Sequence, residues 1–279
     1  MISLRFWSIL FALTPLFFLG GCGNWFRSTY PEIDRGEMPE LKVPRAEVPP
    51  DLDASTEDLI WSEATVIEQL AKVESKYTRD LEIMPTRILL LWSEDGLYLR
   101  FECADDVLVT PAVGHDGKHH DGDIVEVIVD PEGDQTRWME VQVSPLNQIL
   151  DIEYHLTGAA SYYREGVLSD ESIRDVLESD LSWTMEGFQS STWIGPEQTW
   201  IVEMKIPAEV LADLAEFDGK LKAGMKLNAN FIRYERWARP VPGEKARWNM
   251  LPMQWVGTVF GRPNTSPFSM GTLELVEAR

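Results

Sequence analysis

Apolar and polar residues alternate with a period of two in several segments of this chain. Successive side chains of a β-strand point to opposite faces of a sheet, so this alternation predicts strands that bury one face. Residues 97–103 show the pattern clearly, because Leu97, Leu99 and Phe101 alternate with polar or amphipathic side chains. Further strands are predicted at residues 86–92, 123–130, 138–145, 148–155, 199–206, 226–236 and 272–276.

Turn-forming residues separate these segments. The sequence Ser-Glu-Asp-Gly at residues 93–96 predicts a hairpin that joins the first two strands. One short helix is predicted at residues 207–214, because Pro207 suits a first helical turn and apolar residues then fall on one face. A second short helix is predicted at residues 62–75. Many strands with one or two short helices predict an all-β fold, specifically a jelly-roll-like β-sandwich.

The first 21 residues have a different character. Arg5 is their only charge, residues 6–19 are almost entirely apolar, and the stretch ends in Leu-Gly-Gly before Cys22. The apolar run is shorter than the roughly 20 residues that a spanning helix needs. A charge, an apolar stretch and small residues before a cleavage point are typical of a signal peptide. The ending resembles a bacterial lipobox, in which the cysteine takes a lipid.

We therefore expect residues 1–21 to be removed and Cys22 to be lipidated. The protein would be exported and anchored to a bacterial membrane, facing the periplasm or the cell exterior. Residues 22–52 are rich in proline and charge, which predicts an acidic, extended tether. Residues 53–279 then form the single folded domain.

Charge and cysteine content narrow the possible partners. The formal net charge is -21, from 25 basic and 46 acidic residues, and a surface of this sign repels nucleic acid. If Cys22 is lipidated, Cys103 is the only remaining cysteine, so no disulfide can form within the chain. Cys103 follows the alternation of its strand and is predicted to be a buried, unreactive side chain.

Four segments in order resemble the family 9 carbohydrate-binding modules and their relatives. They are W-S-E-D-G-L-Y-L-R-F-E-C-A-D at 92–105, D-G-D-I-V-E-V-I-V-D-P at 121–131, W-I-V-E-M-K-I-P at 200–207 and N-A-N-F-I-R-Y-E-R at 228–236. The resemblance covers roughly residues 55–277. It implies a β-sandwich that binds polysaccharides or their ends without catalysis, often beside glycoside hydrolase domains. Structural calcium is common among such modules, so the resemblance allows a calcium ion.

The resemblance places Glu126 on the acid of the family's D-S-V-E motif, where it can bond sugar hydroxyls. Glu126 stands between Ile124 and Ile128 on one strand face, and a carboxylate there needs a partner or a ligand. A salt bridge to Arg100 or Arg233 is the alternative. Further candidate sugar contacts are Gln142, Asn228, Asn230 and Arg233.

The family's two platform tryptophans are missing from this sequence. His120 and approximately Asn264 stand in their places. Trp237, Trp248 or Trp255 could supply a replacement ring, and we include Trp255 in the predicted site. The alternative is that these rings cover one end of the core.

Histidines and acids also crowd the loop before residue 124. His115, His119, His120 and Asp121 are candidate metal ligands by residue type, although their spacing matches no compact metal motif. No arrangement typical of a hydrolase stands out. The sequence therefore predicts a membrane-anchored carbohydrate-binding protein that assists polysaccharide catabolism. A hydrolase acting through an acidic face, and a structural or protein-binding lipoprotein that kept only the fold, remain the alternatives.

Overall fold

The computed structural model describes residues 38–55, 57–73, 78, 81–111, 114–157, 177–196, 199–236, 250–258, 266 and 268–278. Within these residues the strands form two sheets. The strands are β1 (Glu40–Pro44), β2 (Thr65–Ile67), β3 (Ala71–Lys72), β4 (Thr86–Ser93), β5 (Gly96–Cys103), β6 (Ile124–Asp130), β7 (Arg137–Val143), β8 (Ile149–Leu156), β9 (Leu177–Asp180), β10 (Gln189–Ile194), β11 (Trp200–Pro207), β12 (Lys226–Arg236), β13 (Met250–Gln254) and β14 (Gly271–Val276).

The larger sheet has nine strands in the order β1-β14-β12-β6-β7-β8-β9, and β13 joins β12 beside β14 and also pairs with β3. The smaller sheet has the order β10-β11-β5-β4-β2. Neighbouring strands are antiparallel, except that β1 runs parallel to β14. The predicted all-β sandwich is confirmed.

The first predicted hairpin forms the centre of the smaller sheet. Strands β4 and β5 pair from Thr86 opposite Cys103 to Ser93 opposite Gly96. Gly96 is required at this corner, because a Cβ atom there would lie 2.6 Å from the backbone oxygen of Ile206. Cys103 is fully buried, and burial raises the pKa of its thiol to about 12, which confirms it as an unreactive core residue.

The main core lies between the two sheets, as the alternation predicts. Val125, Val127 and Val129 of β6 share one buried cluster with Leu99 and Phe101 of β5. One short α-helix, α1 (Ala208–Leu214), follows β11 directly after Pro207 and confirms the predicted helix. It adds apolar side chains to the same cluster.

The outer face of each sheet is also covered. On the smaller sheet, Trp61 packs with Leu89, Leu91 and Tyr98. On the larger sheet, a second cluster is built around Trp138 and Tyr154. This double covering explains why alternating strands here carry apolar residues on both faces.

Two sequence predictions are wrong in detail. The predicted tether extends too far, because Glu40–Pro44 pairs with β14 and Ala46 packs on the smaller sheet. Prolines suit an extended tether, but they suit an edge strand equally well. The predicted helix at residues 62–75 is also wrong over residues 62–73, the part that the structure describes. A 3-10 turn at Leu59–Glu63 is followed there by β2 and β3, whose pairing partners are distant in sequence.

Candidate functional site

A group of polar side chains lies on the outer face of the nine-stranded sheet. Glu126 of β6 stands directly opposite Gln142 of β7 in the strand register. The Gln142 amide nitrogen donates to Glu126 Oε2 at 3.0 Å and to Glu140 Oε1 at 2.5 Å. The Tyr154 hydroxyl donates to Glu140 Oε2 at 2.8 Å. These four side chains are called the Glu126 cluster below.

Burial determines the charge of this cluster. Glu126 is 1% exposed and Glu140 is fully buried. Burial first, and then the charge of Glu140, raise the pKa of Glu126 well above its ordinary value, while the Gln142 amide opposes the shift. Two like charges at a desolvated site cannot both persist at little cost. Ionisation of both carboxyl groups is therefore disfavoured.

Two oxygen atoms of the cluster lack protein partners. Glu126 Oε1 and Gln142 Oε1 are buried and accept no hydrogen bond from any part of the chain that the structure describes. A buried polar atom without a partner costs about 1 to 3 kcal/mol. The cluster therefore presents two acceptors that hydroxyl or amide donors would satisfy.

Aromatic and apolar side chains surround these polar groups. Trp138 and Tyr154 stack with ring centroids 5.5 Å apart and planes inclined by 14°. Both rings are buried, so they pack around the cluster and do not form an exposed platform for a sugar ring. The same apolar cluster includes Ile128, Leu150, Ile152, Leu156, Ile232, Phe268 and Met270.

The structure brings together only part of the predicted sugar site. Gln142 lies beside Glu126, as described. Asn230 is on the same sheet, but its side chain is used internally: it donates to the backbone oxygens of Val256 and Ser269 and accepts from the Val256 amide. Asn230 thus holds two neighbouring segments in place.

Asn228 and Arg233 do not contact the Glu126 cluster. The Asn228 amide oxygen accepts from the Thr272 hydroxyl at 3.3 Å. Arg233 lies on the inner face of β12, fully buried, and its guanidinium contacts Asp105 and Glu235. Since β12 alternates faces, an arginine three residues after Asn230 falls on the opposite side of the sheet.

The alternative interpretation of Glu126 as a salt-bridge partner is wrong. Arg100 pairs with Glu203 and Glu102 on the smaller sheet. Arg233 is engaged on the other face. Among the described residues, Glu126 has no basic partner.

Trp255 lies away from Glu126. Its ring packs against Phe231, on the core side of the sheet, with centroids 5.4 Å apart. The Trp255 ring therefore covers one edge of the core. Trp237, Trp248 and Asn264 lie outside the described residues, as does Cys22.

Sequence reasoning missed Glu140 and Tyr154. Glu140 and Gln142 are two residues apart on β7, so alternation predicts that both side chains point to the same face. Its contact with Tyr154 depends on the register of β7 against β8, which sequence periodicity does not specify.

The resemblance allows a calcium ion, which would need a group of converging oxygen ligands. Oxygen atoms of Asp105, Asp106 and Glu235 lie within 4.8 Å of one another, and carboxylates are ligands that calcium prefers. The Arg233 guanidinium already lies 3.1 Å from Asp105 Oδ2 and contacts Glu235. A cation of the protein itself therefore compensates this group, and it does not fit calcium as arranged.

The two packed sheets define a β-sandwich domain with a buried polar cluster on one outer face. Its sequence matches the family described as carbohydrate family 9 binding domain-like over residues 52–276. The chain belongs to this family, which consists of binding modules and not of catalytic domains. A search of curated proteins finds no match.

Solved structures show the same fold. A protein from Bacteroides uniformis ATCC 8492, provisionally described as carbohydrate-binding, matches at a TM-score of 0.63 with 14% identity, over 86% of this chain and 100% of that one. A family 9 carbohydrate-binding module from Caldicellulosiruptor kristjanssonii in complex with glucose matches at 0.54 with 14% identity, over 86% and 97%. The same module with cellotriose matches at 0.54 with 14% identity, over 86% and 95%.

Proposed function

We propose that this protein binds carbohydrate through the Glu126 cluster. The observation that carries the proposal is the pair of buried acceptors, Glu126 Oε1 and Gln142 Oε1, that lack protein donors. Sugar hydroxyls are donors and acceptors at once, so one saccharide can satisfy both oxygens. Membership of the family and the sugar complexes of the Caldicellulosiruptor module support this class of ligand.

The geometry favours weak binding. Each exchanged hydrogen bond contributes only about 0.5 to 1.5 kcal/mol, with more for a charged acceptor. Three or four such bonds correspond to a dissociation constant of roughly 1 mM, for which about 4 kcal/mol is needed. A higher affinity requires stacking on an aromatic ring, and Trp255 is not placed beside Glu126 to supply it.

Binding also requires the chain to open. Glu126, Glu140, Gln142 and Tyr154 are at most 6% exposed, so a saccharide reaches them only after covering groups move. Association that waits for such a change is slower than simple docking. We therefore expect slow association.

Calorimetric titration of residues 33–279, a compact unit of the structure, with cello-oligosaccharides, xylan and mixed-linkage glucan tests the site. Glu126→Gln should lower the affinity for any bound glycan about tenfold, because the amide replaces one carboxyl oxygen by a nitrogen that can only donate, and a lost hydrogen bond costs about 1 kcal/mol. Glu132→Gln is the control, since Glu132 is an exposed acid on the turn after β6. Unchanged binding by a folded Glu126→Gln variant would move the ligand elsewhere.

The same samples test the hydrolase alternative. We expect no release of reducing ends, because the family is one of binding modules and Glu126 and Glu140 share an amide rather than flanking an open cleft. Turnover that persists after repurification and disappears in Glu126→Gln would contradict this. Binding without turnover is compatible with a supporting role in polysaccharide catabolism.

We further propose that Cys22 carries a lipid and anchors the protein to a bacterial membrane. Support comes from the lipobox-like ending of the apolar N-terminal stretch. Among the described residues, the structure contains no helix long and apolar enough to cross a membrane. Cells that express wild type or Cys22→Ala should differ in labelling by a fatty-acid probe. Equal labelling would end the anchoring proposal.

A further inference from the structure

A histidine and two aspartates converge where the loop before β6 meets β8. Ligand atoms of His115, Asp116 and Asp151 all lie within 4.8 Å of one another. The loop is held there by a backbone hydrogen bond from the Asp116 amide to the Ile149 oxygen at 3.0 Å. This group is separate from the Glu126 cluster. Tyr154 of that cluster shares one face of β8 with Leu150 and Ile152, and Asp151 points to the opposite face.

The two nitrogens of the His115 ring have different neighbours. Nδ1 lies 2.9 Å from Asp116 Oδ2, and Nε2 lies 4.0 Å from Asp151 Oδ1. When Nδ1 carries the proton and donates to Asp116, the lone pair of Nε2 is available toward Asp151. A carboxylate that fixes the tautomer of a histidine in this way is the usual neighbour of a metal-bound imidazole.

Asp151 supplies a second, independent observation. Its side chain is 2% exposed, and its Oδ2 accepts from the Met185 amide at 2.5 Å. Its Oδ1, which faces His115, is buried and accepts no hydrogen bond within the described residues. A desolvated carboxylate oxygen without a donor is costly unless a cation or a ligand satisfies it.

We propose that His115 Nε2 and Asp151 Oδ1 bind a divalent transition-metal ion, with zinc as the best match, and that Asp116 positions the His115 ring. Zinc bonds to imidazole nitrogen and carboxylate oxygen are about 2.0 to 2.2 Å, so two ligands of a tetrahedral ion lie roughly 3.4 Å apart. The 4.0 Å separation therefore closes with a small rotation of His115, whose side chain is 52% exposed. The remaining coordination positions are open to water or an external ligand.

The ligand set decides between metals. Calcium and magnesium take oxygen ligands, whereas imidazole with carboxylate suits zinc and its neighbours in the first transition row. The other candidates from the sequence do not join the group: His120 and Asp121 are exposed beyond it, and His119 is a buried side chain whose pKa desolvation lowers.

Zinc titration of the untagged full-length protein, purified in detergent and stripped with a chelator, tests the proposal by calorimetry. We expect one zinc ion per chain, no uptake of calcium or magnesium, and a higher unfolding temperature with zinc in excess. His115→Ala should abolish this binding, and Asp116→Asn should weaken it about 10- to 100-fold. His120→Ala is the matched control from the same loop and should bind as wild type.

Asp151→Asn removes the second ligand, but it also affects the bond to Met185, so its fold must be checked by circular dichroism. His115→Ala keeps the test decisive, because the His115 side chain is half-exposed. Cobalt substitution adds a direct readout, since visible absorption should appear in wild type and vanish in His115→Ala. No zinc binding by wild type, or equal zinc binding by wild type and His115→Ala, would overturn the proposal.

Discussion

Replacing Arg233 by Met should lower the free energy of unfolding, because it leaves buried acids without their cationic partner. Arg233 belongs to β12 of the larger sheet, yet its Nη1 donates to the Thr86 hydroxyl at 3.0 Å and to the Pro85 oxygen at 3.3 Å. Thr86 begins β4 of the smaller sheet, so the guanidinium ties the two sheets together. Its Nη2 contacts Asp105 and Glu235, and all three side chains are essentially inaccessible to water.

The expected loss follows from the charge that the substitution leaves behind. Burial and the neighbouring acids raise the pKa of Glu235 to about 8, against the opposing effect of Arg233, so Glu235 is largely protonated at pH 7. Asp105 is then the main stranded charge. From the ordinary pKa near 3.9 of an unfolded chain, protonating an aspartate costs about 4 kcal/mol at pH 7 and about 1.5 kcal/mol at pH 5. These figures are upper limits for the loss, because burial already raises the pKa of Asp105 in the folded protein. Breaking a buried pair typically costs a similar 3 to 5 kcal/mol.

Urea unfolding at pH 7 and pH 5 measures both values. Tryptophan fluorescence follows the unfolding, and Trp200 should respond to the substitution because the Arg233 guanidinium lies 5.6 Å from its ring centroid. Arg233→Lys is the control that keeps the charge and loses the forked geometry, and it should cost less than Arg233→Met. Adding Asp105→Asn to Arg233→Met should recover stability, because no carboxylate is then stranded. A loss that is equal at both pH values, or no recovery in the double variant, would refute this reasoning.

Three further predictions concern stability. Asn230→Ala should lower the free energy of unfolding by about 2 to 3 kcal/mol in urea titration, because several buried backbone groups lose their partner. Gly271→Ala should lower the melting temperature, since its Cβ would lie 2.7 Å from a backbone oxygen, whereas Gly257→Ala, with open space around it, should have little effect. The free energy of unfolding should be higher at pH 5 than at pH 8. Burial raises the pKa of Asp130 to about 6 and of Asp123 to about 7, so the folded chain binds more protons than the unfolded chain between about pH 4 and 7. The stability that these protons contribute is lost as the pH rises through that range. A flat or opposite pH profile of the melting temperature would contradict this assignment.

Most of the strands and the class of the fold follow from local sequence patterns. Sequence patterns placed β4 to β8, β11, β12 and β14 to within a residue or two, and they correctly put Cys103 in the core. Most of these segments alternate over five or more residues, and a period of two leaves little freedom about which face is buried. Strand β4 is instead a continuous apolar run that ends at turn-forming residues. The order of four motifs was enough to indicate the family.

Short or flanking strands were beyond the reach of periodicity. Strands β2 and β3 span three and two residues, and β1 lies in a proline-containing stretch that resembles a tether. Each is a strand because a partner from elsewhere in the chain offers backbone hydrogen bonds at that place. The local sequence does not indicate which distant segment is that partner.

The candidate site shows the same division. Alternation was sufficient to identify Glu126 as an unusual buried acid, and strand pairing alone decided that Gln142, and not an arginine, lies beside it. Arg233 and Trp255 were assigned to the site from residue type, but each points to the core side of the sheet. Asp151 gained its place opposite His115 only through the packing of a loop on β8. Residue types and spacing specify the chemistry that a chain can offer, whereas the register and packing of distant strands decide which groups meet, because those contacts form between positions that are far apart in sequence.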